Sequence, residues 1–216
     1  MNVPEPVARW RCGSCENRRG ALIVLLHGRG ADEDDLFPLA DLLPREATVA
    51  SLRAPHDADG FGYTWYRPRG VAQPEPASLS ASLAYVDAFL RERAGDAEEI
   101  WLAGFSAGAV MAGALALHEP ARFAGAALLH GPLAFDAPAP PAPGRLDVLE
   151  LFFGYGVFDD VIPAAAIART RAYLRDESGA RLEEHAYRTG HDLPADEQRD
   201  LAAWFSARFA ASLNPA

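Results

Sequence analysis

The stretch Ile100-Trp101-Leu102-Ala103-Gly104-Phe105-Ser106-Ala107-Gly108 constrains this chain more than any other. The apolar run from Ile100 to Ala103 reads as a buried strand. The Ala-rich segment from Ala107 to His118, stopped by Pro120, reads as a helix. Between them lies Gly-x-Ser-x-Gly. A strand that turns straight into a helix presses the residues two before and two after the apex against neighbouring backbone, so both must be tiny. The apex residue, Ser106, is forced into a strained φ/ψ with its side chain above the sheet. Its hydroxyl then sits at a helix N-terminus, where N–H groups and the helix dipole favour developing negative charge. The five-residue pattern also arises by chance; the strand before it and the helix after it give it meaning.

The rest of the chain repeats the strand-then-helix rhythm. Ala8 to Cys12 reads as a short first strand and Ala21 to Leu26, apolar on both faces, as a central parallel one. Asp32 to Asp35 are expected to cap a helix running to about Leu43. Ala47 to Leu52 is the next strand. Residues 56 to 77 form a long loop rich in Gly, Pro and aromatics, a length that usually carries function. Ser78 to Arg93 keeps the 3–4 apolar spacing of a half-buried helix. Further strands are expected at Phe123 to Leu129, Leu146 to Phe153 and Arg181 to Tyr187, the last near a sheet edge. Helices are expected at Ala164 to Asp176 and Pro194 to Ala211. The fold class is therefore α/β: a mostly parallel sheet with helices on both faces. Residues 1–216 fit one domain, with no segment long enough for a separate cap.

Composition removes several function classes. A net charge of −10 disfavours nucleic acid and anionic membrane surfaces as partners. No segment approaches the ~18 uninterrupted apolar residues of a membrane span. Met1 to Arg11 lacks an apolar signal core, so the expected location is the cytoplasm. The two cysteines, Cys12 and Cys15, are read as thiols in a hairpin turn with Gly13, because no second pair exists to complete a metal site.

In such a sheet, functional residues gather at the carboxyl ends of strands. Those ends carry His27-Gly28-Arg29, then Ser106, then Asp159 and Asp160, then His191. The order Ser, acid, His is the one this architecture uses for nucleophilic catalysis. A serine hydroxyl needs a base, an imidazole with pKa near ~6.5 is suited to the task, and the imidazole needs a carboxylate to fix its tautomer. Either Asp159 or Asp160 can be that carboxylate. His56, His118 and His185 have no such constellation and read as surface or packing residues.

Taken together, Leu25-Leu26-His27-Gly28-Arg29-Gly30-Ala31, Trp65-Tyr66, Gly104-Phe105-Ser106-Ala107-Gly108, Asp159-x-x-Ile162-Pro163 and Gly190-His191 resemble the phospholipase/carboxylesterase branch of the α/β-hydrolases. That branch includes acyl-protein thioesterases and small bacterial carboxylesterases. The resemblance covers about residues 21 to 210. It implies an α/β-hydrolase fold with Ser106 as nucleophile, Asp159 as acid and His191 as general base and then acid. The family's acid lies four residues before a Pro, which selects Asp159 over Asp160. It also implies an oxyanion hole of the backbone N–H groups of Arg29 and Ala107, with His27 bracing the His-Gly-x turn. Many relatives carry His-Gly just before the acid; here the pair is Tyr155-Gly156, so the packing under the acid loop differs.

The expected site is open and shallow, with Phe37, Phe61, Trp65 and Tyr66 as substrate-binding aromatics. The expected function is a serine carboxylesterase that needs no cofactor or metal and acts on a small-molecule ester or acyl substrate. An acyl-protein thioesterase or lysophospholipase, or a ligand-binding protein that kept the fold and lost turnover, are the alternatives. The chain is expected to be a monomer or homodimer.

Overall fold

The computed structural model describes residues 5–13, 20–94 and 97–213, with side chains to residue 209. Among the described residues, seven strands form one sheet. In chain order they are β1 (Ala8–Arg11), β2 (Leu22–Leu26), β3 (Thr48–Leu52), then, after four short strands, β8 (Ile100–Phe105), β9 (Gly125–Leu129), β10 (Glu150–Gly156) and β11 (Arg181–Tyr187). The short strands β4 (His56–Asp57) and β5 (Tyr63–Thr64) pair as one antiparallel ribbon, β6 (Pro68–Gly70) and β7 (Gln73–Pro74) as another. The helices are α1 (Pro76–Arg93), α2 (Ala107–His118), α3 (Ala164–Asp176) and α4 (Ala195–Leu213). The sheet order is β1-β3-β2-β8-β9-β10-β11. β1 is antiparallel to β3, and every other pairing within this sheet is parallel.

Strand alternation sorts side chains to two cores. Leu22, Val24, Leu26 and Leu102 face α1, α2 and α3. Ile23, Leu25, Trp101 and Ala103 face the other way, against Leu201, Trp204 and Phe205 of α4. Strands buried on both faces need apolar residues at every position, and β2 and β9 are fully buried along their lengths. β11 is partly exposed and closes one edge, as its mixed pattern requires. Among the described residues no helix is long and apolar enough to cross a membrane.

Several expected elements are shorter or shifted. The helix expected over residues 32–43 is a single 3₁₀ turn, Phe37–Asp41. Asp32 turns the chain first by accepting from the Asp34 N–H, and Pro38 sits in the first turn of the 3₁₀ segment, with Pro44 just beyond it. β10 starts at Glu150, not Leu146: residues 146–149 form a turn held by Leu146 N–H to Ser178 O. Leu146 and Leu149 are apolar because that turn is buried. Phe123 likewise belongs to the exit of a 3₁₀ turn, Pro120–Arg122, rather than to β9. The long loop over 56–77 contains the two ribbons. β1 ends at Arg11, one residue short of the expected Cys12, which is a free, exposed thiol; Cys15 lies outside the described residues.

Candidate active site

The site is built at the carboxyl end of the sheet, starting from the turn between β8 and α2. Ser106 caps α2 with φ +55° and ψ −114°, a conformation side chains rarely adopt. A Cβ on Gly104 would lie 2.1 Å from Gly108 O, and one on Gly108 would lie 1.8 Å from Leu26 O. Only glycine fits at both positions, which is the steric origin of the sequence pattern. The Ser106 N–H is held by Leu129 O at 2.8 Å, and Ser106 O accepts from Ala109 and Val110 N–H.

His191 Nε2 lies 2.8 Å from Ser106 Oγ, and His191 Nδ1 lies 2.8 Å from Asp159 Oδ2. Three side chains separated by 53 and 32 positions therefore form one hydrogen-bonded row. Asp159 is fixed from its other oxygen: Oδ1 accepts from Val161 and Ile162 N–H, both at 2.9 Å. Burial by itself would raise the Asp159 carboxyl. The Ile162 N–H, the His191 ring and the Val161 N–H outweigh that and hold it below the ordinary aspartate range. Asp160 is exposed and takes no part in the row. A hydroxyl bonded to an imidazole that is itself backed by an ionised carboxylate is the arrangement that makes serine a nucleophile.

Arg29 and Ala107 line the same cleft as Ser106. Among the described residues the backbone N–H of neither donates to an intramolecular acceptor. The turn carrying Arg29 is braced from beneath by His27, which is fully buried. His27 Nε2 accepts from Ala54 N–H at 3.0 Å, so Nδ1 carries the hydrogen and donates to Gly28 O at 2.7 Å. Burial holds this ring below the ordinary imidazole value of 6.5. The Trp65 indole N–H donates to His27 O at 2.9 Å. A bidentate pair, Arg53 to Glu33, and the Gly30 N–H to Tyr63 O contact tie the turn to β3 and β5.

The cleft measures about 440 Å³ and is lined by Tyr66, Pro68, Val71, Ala72, Val161 and Ile162 beside Arg29, Ala107 and Ser106. Of the four expected substrate-binding aromatics, only Tyr66 lines it. Burial raises the Tyr66 hydroxyl, which stays protonated. Trp65 is wholly buried beneath the cleft, where its indole is spent on His27. Phe37 packs on the opposite core, beneath the Arg9 guanidinium. Phe61 projects into solvent at 80% exposure. Aromatic character marked all four alike; which face of the chain each ring takes is decided by tertiary packing.

A second pair of titratable groups lies behind Asp159. His130 is fully buried, with Nε2 2.8 Å from Glu197 Oε2 and Nδ1 3.6 Å from Asp159 Oδ2. The Tyr155 ring packs on Phe153 and beneath Arg171, so the ring that backs Asp159 is His130. The sequence carried one signal for His130, a histidine at the carboxyl end of a strand. It carried none for Glu197, which reads as an ordinary acidic residue in a helix's first turn. His130, Asp159 and His191 are also close enough together to ligate a metal, with ligand atoms within 4.8 Å of one another. Within that trio Asp159 Oδ2 and His191 Nδ1 already share a hydrogen bond.

The phospholipase/carboxylesterase family model matches residues 11–207. The chain belongs to the phospholipase/carboxylesterase family. Its fold is correspondingly that of the α/β-hydrolases, and its family is one of esterases. A carboxylesterase of Bacillus cereus is 24% identical, with a TM-score of 0.82 and 94% of each chain covered. A carboxylesterase of Mesorhizobium loti is 26% identical, with a TM-score of 0.75, 87% of this chain and 88% of that one covered. A phospholipase/carboxylesterase of Dyadobacter fermentans is 23% identical, with a TM-score of 0.70, 94% of this chain and 97% of that one covered.

Proposed function

We propose that this family member is a serine carboxylesterase working through an acyl-enzyme on Ser106. The observation that carries the reading is the row Ser106–His191–Asp159, with both links at 2.8 Å. Ser106 Oγ attacks the ester carbonyl carbon, and its proton passes to His191 Nε2. The oxyanion accepts from the Arg29 and Ala107 N–H groups, which are otherwise uncommitted among the described residues. Collapse breaks the C–O bond to the alcohol, which leaves with the proton from His191. Water then gives a proton to His191 and attacks the acyl carbon. The acid departs as Ser106 Oγ takes the proton back. Throughout, the Asp159 carboxylate keeps Nδ1 of His191 protonated and steadies the imidazolium.

The largely apolar cleft suits an uncharged acyl group, with the protonated Tyr66 hydroxyl available as a hydrogen-bond donor. Ser106→Ala is expected to lower hydrolysis of a short p-nitrophenyl ester by at least about 10⁴-fold. The same change should abolish covalent labelling by a fluorophosphonate. Survival of most of the activity in Ser106→Ala would overturn the assignment, and absence of labelling in the wild type would favour a binding protein without turnover. A second reading, a thioesterase for acylated proteins, is favoured by Val71 and Val161. They line the cleft yet stay about half exposed (52% and 47%), an apolar mouth open to a tethered chain. Relative turnover of matched thioesters and oxyesters across chain lengths separates the two.

A further inference from the structure

The proposed chemistry leaves one buried titratable pair unused, His130 and Glu197. Both side chains are 0% exposed, and they meet at 2.8 Å. They are built into place. His130 adopts φ +51°, a region costly for any side chain, and its N–H is anchored on Gly154 O at 2.8 Å. A Cβ on Gly154 would lie 2.1 Å from Glu197 Oε1, so a glycine in β10 makes the room the carboxyl group occupies. The other ring nitrogen, Nδ1, has no hydrogen-bond partner among the described residues and faces Asp159 Oδ2 at 3.6 Å.

The protonation of the pair is set by the charge a buried site tolerates. If Nδ1 carried a lone pair, two electron-rich buried atoms would face each other at 3.6 Å, between two buried carboxylates, which is the costly arrangement. One proton shared by the pair removes the conflict in either of its forms. With a hydrogen on Nδ1, the 2.8 Å contact between Nε2 and Glu197 Oε2 holds one proton, carried by either atom. Both forms are net neutral, and both leave a hydrogen on Nδ1. Burial raises the Glu197 carboxyl while the bond to His130 lowers it, with burial prevailing.

From this geometry we infer that His130, held by Glu197, is a positioning residue that presents a protonated Nδ1 to the same Asp159 oxygen that takes His191 Nδ1. It acts through the acid and touches no substrate. The inference rests on the serine-esterase reading of the row. At 3.6 Å the contact is electrostatic rather than a full hydrogen bond. Its effect is to share the Asp159 charge, so that Asp159 does not over-stabilise the imidazolium of His191. The groups facing His130 are Asp159, His191 and Glu197; Asp196 and His185 act on it through Glu197.

The test compares two substitutions at one position. His130→Leu removes the donor. His130→Asn puts an amide N–H where Nδ1 was, and Asn tolerates this backbone conformation. His130→Leu should lower kcat about tenfold with KM unchanged, because an over-stabilised His191 imidazolium gives its proton to the leaving alcohol less readily, a loss on the scale of one charged-group contact. It should also move the acid limb of the pH–kcat/KM profile to higher pH, because Asp159 then bears fully on His191. His130→Asn should recover most of both changes. Equal kcat and acid limb in wild type and His130→Leu overturn the inference, as do equal losses in both variants, which would mean packing alone. If His130→Leu does not fold, ¹⁵N-histidine NMR of the wild type decides: a protonated Nδ1 on His130 supports the inference, an unprotonated one sinks it. Fluorophosphonate labelling of the wild type keeps the two levels apart, since its absence removes the underlying esterase reading and its presence leaves the His130 result to be judged by itself.

Discussion

At the scale of single residues, the choice between two adjacent acids is made by hydrogen bonding. Asp159 has both oxygens committed, one to backbone amides and one to His191, whereas Asp160 is exposed. Asp159→Asn should therefore cost about 10⁴-fold in kcat, because an amide stabilises neither the tautomer nor the imidazolium. Asp160→Asn should change kcat by less than about threefold, the scale of a surface substitution. Steady-state kinetics on the two variants, side by side, checks the assignment; comparable losses in both would refute it. Sequence order picks out Ser106 and His191 without help, but it leaves the acid open, and only the spacing to Pro163 in the family pattern favours Asp159. The substrate side was less legible. Tyr66 and Trp65 are adjacent, and only their opposite directions put one at the cleft and the other beneath it.

At the scale of elements, the site depends on how closely β8 and α2 approach β2. Gly108 sits against Leu26 O so tightly that any Cβ must push α2 away from the sheet. Gly108→Ala is thus expected to cost roughly 1–3 kcal/mol or more through overpacking against backbone. At about 2–4 °C per kcal/mol for a domain of this size, that is a fall in Tm of roughly 2–12 °C. Activity should fall with it, since α2 carries the Ala107 amide at its first turn. A calorimetric scan with unchanged Tm would contradict the packing argument. Element positions were largely readable, because apolar runs and alternation report burial directly. The misplaced strand starts share one cause. Leu146, Leu149 and Phe123 are apolar because buried turns also need apolar side chains, and periodicity does not distinguish a buried turn from a short strand.

At the scale of the whole molecule, buried titratable groups couple the site to global stability. His27 is held neutral by burial beneath the Arg29 turn, with its value lowered from 6.5. The unfolded chain protonates this ring more readily than the folded one. Its contribution to stability is therefore complete above about pH 6.5 and lost as pH falls toward the lowered folded value. Glu197 and Asp35, whose carboxyls burial raises, act in the opposite sense, so the comparison must be between variants. Between pH 7.5 and 5.5, His27→Gln should lose less denaturation free energy than the wild type; equal losses would show that His27 does not couple to folding. By itself the sequence determined the α/β class, the strand–turn–helix around Gly-x-Ser-x-Gly and the placing of Ser106, the aspartate pair and His191 at strand ends, because each is written in local pattern: apolar periodicity, tiny residues at a steric apex, polar residues after apolar runs. Only the tertiary structure decided which aromatics reach the cleft and that His130 and Glu197 meet behind Asp159. Those outcomes depend on which way a side chain points and on what a distant strand leaves open. The 2.1 Å that a Cβ on Gly154 would leave to Glu197 joins residues 43 positions apart, a relation no local pattern encodes.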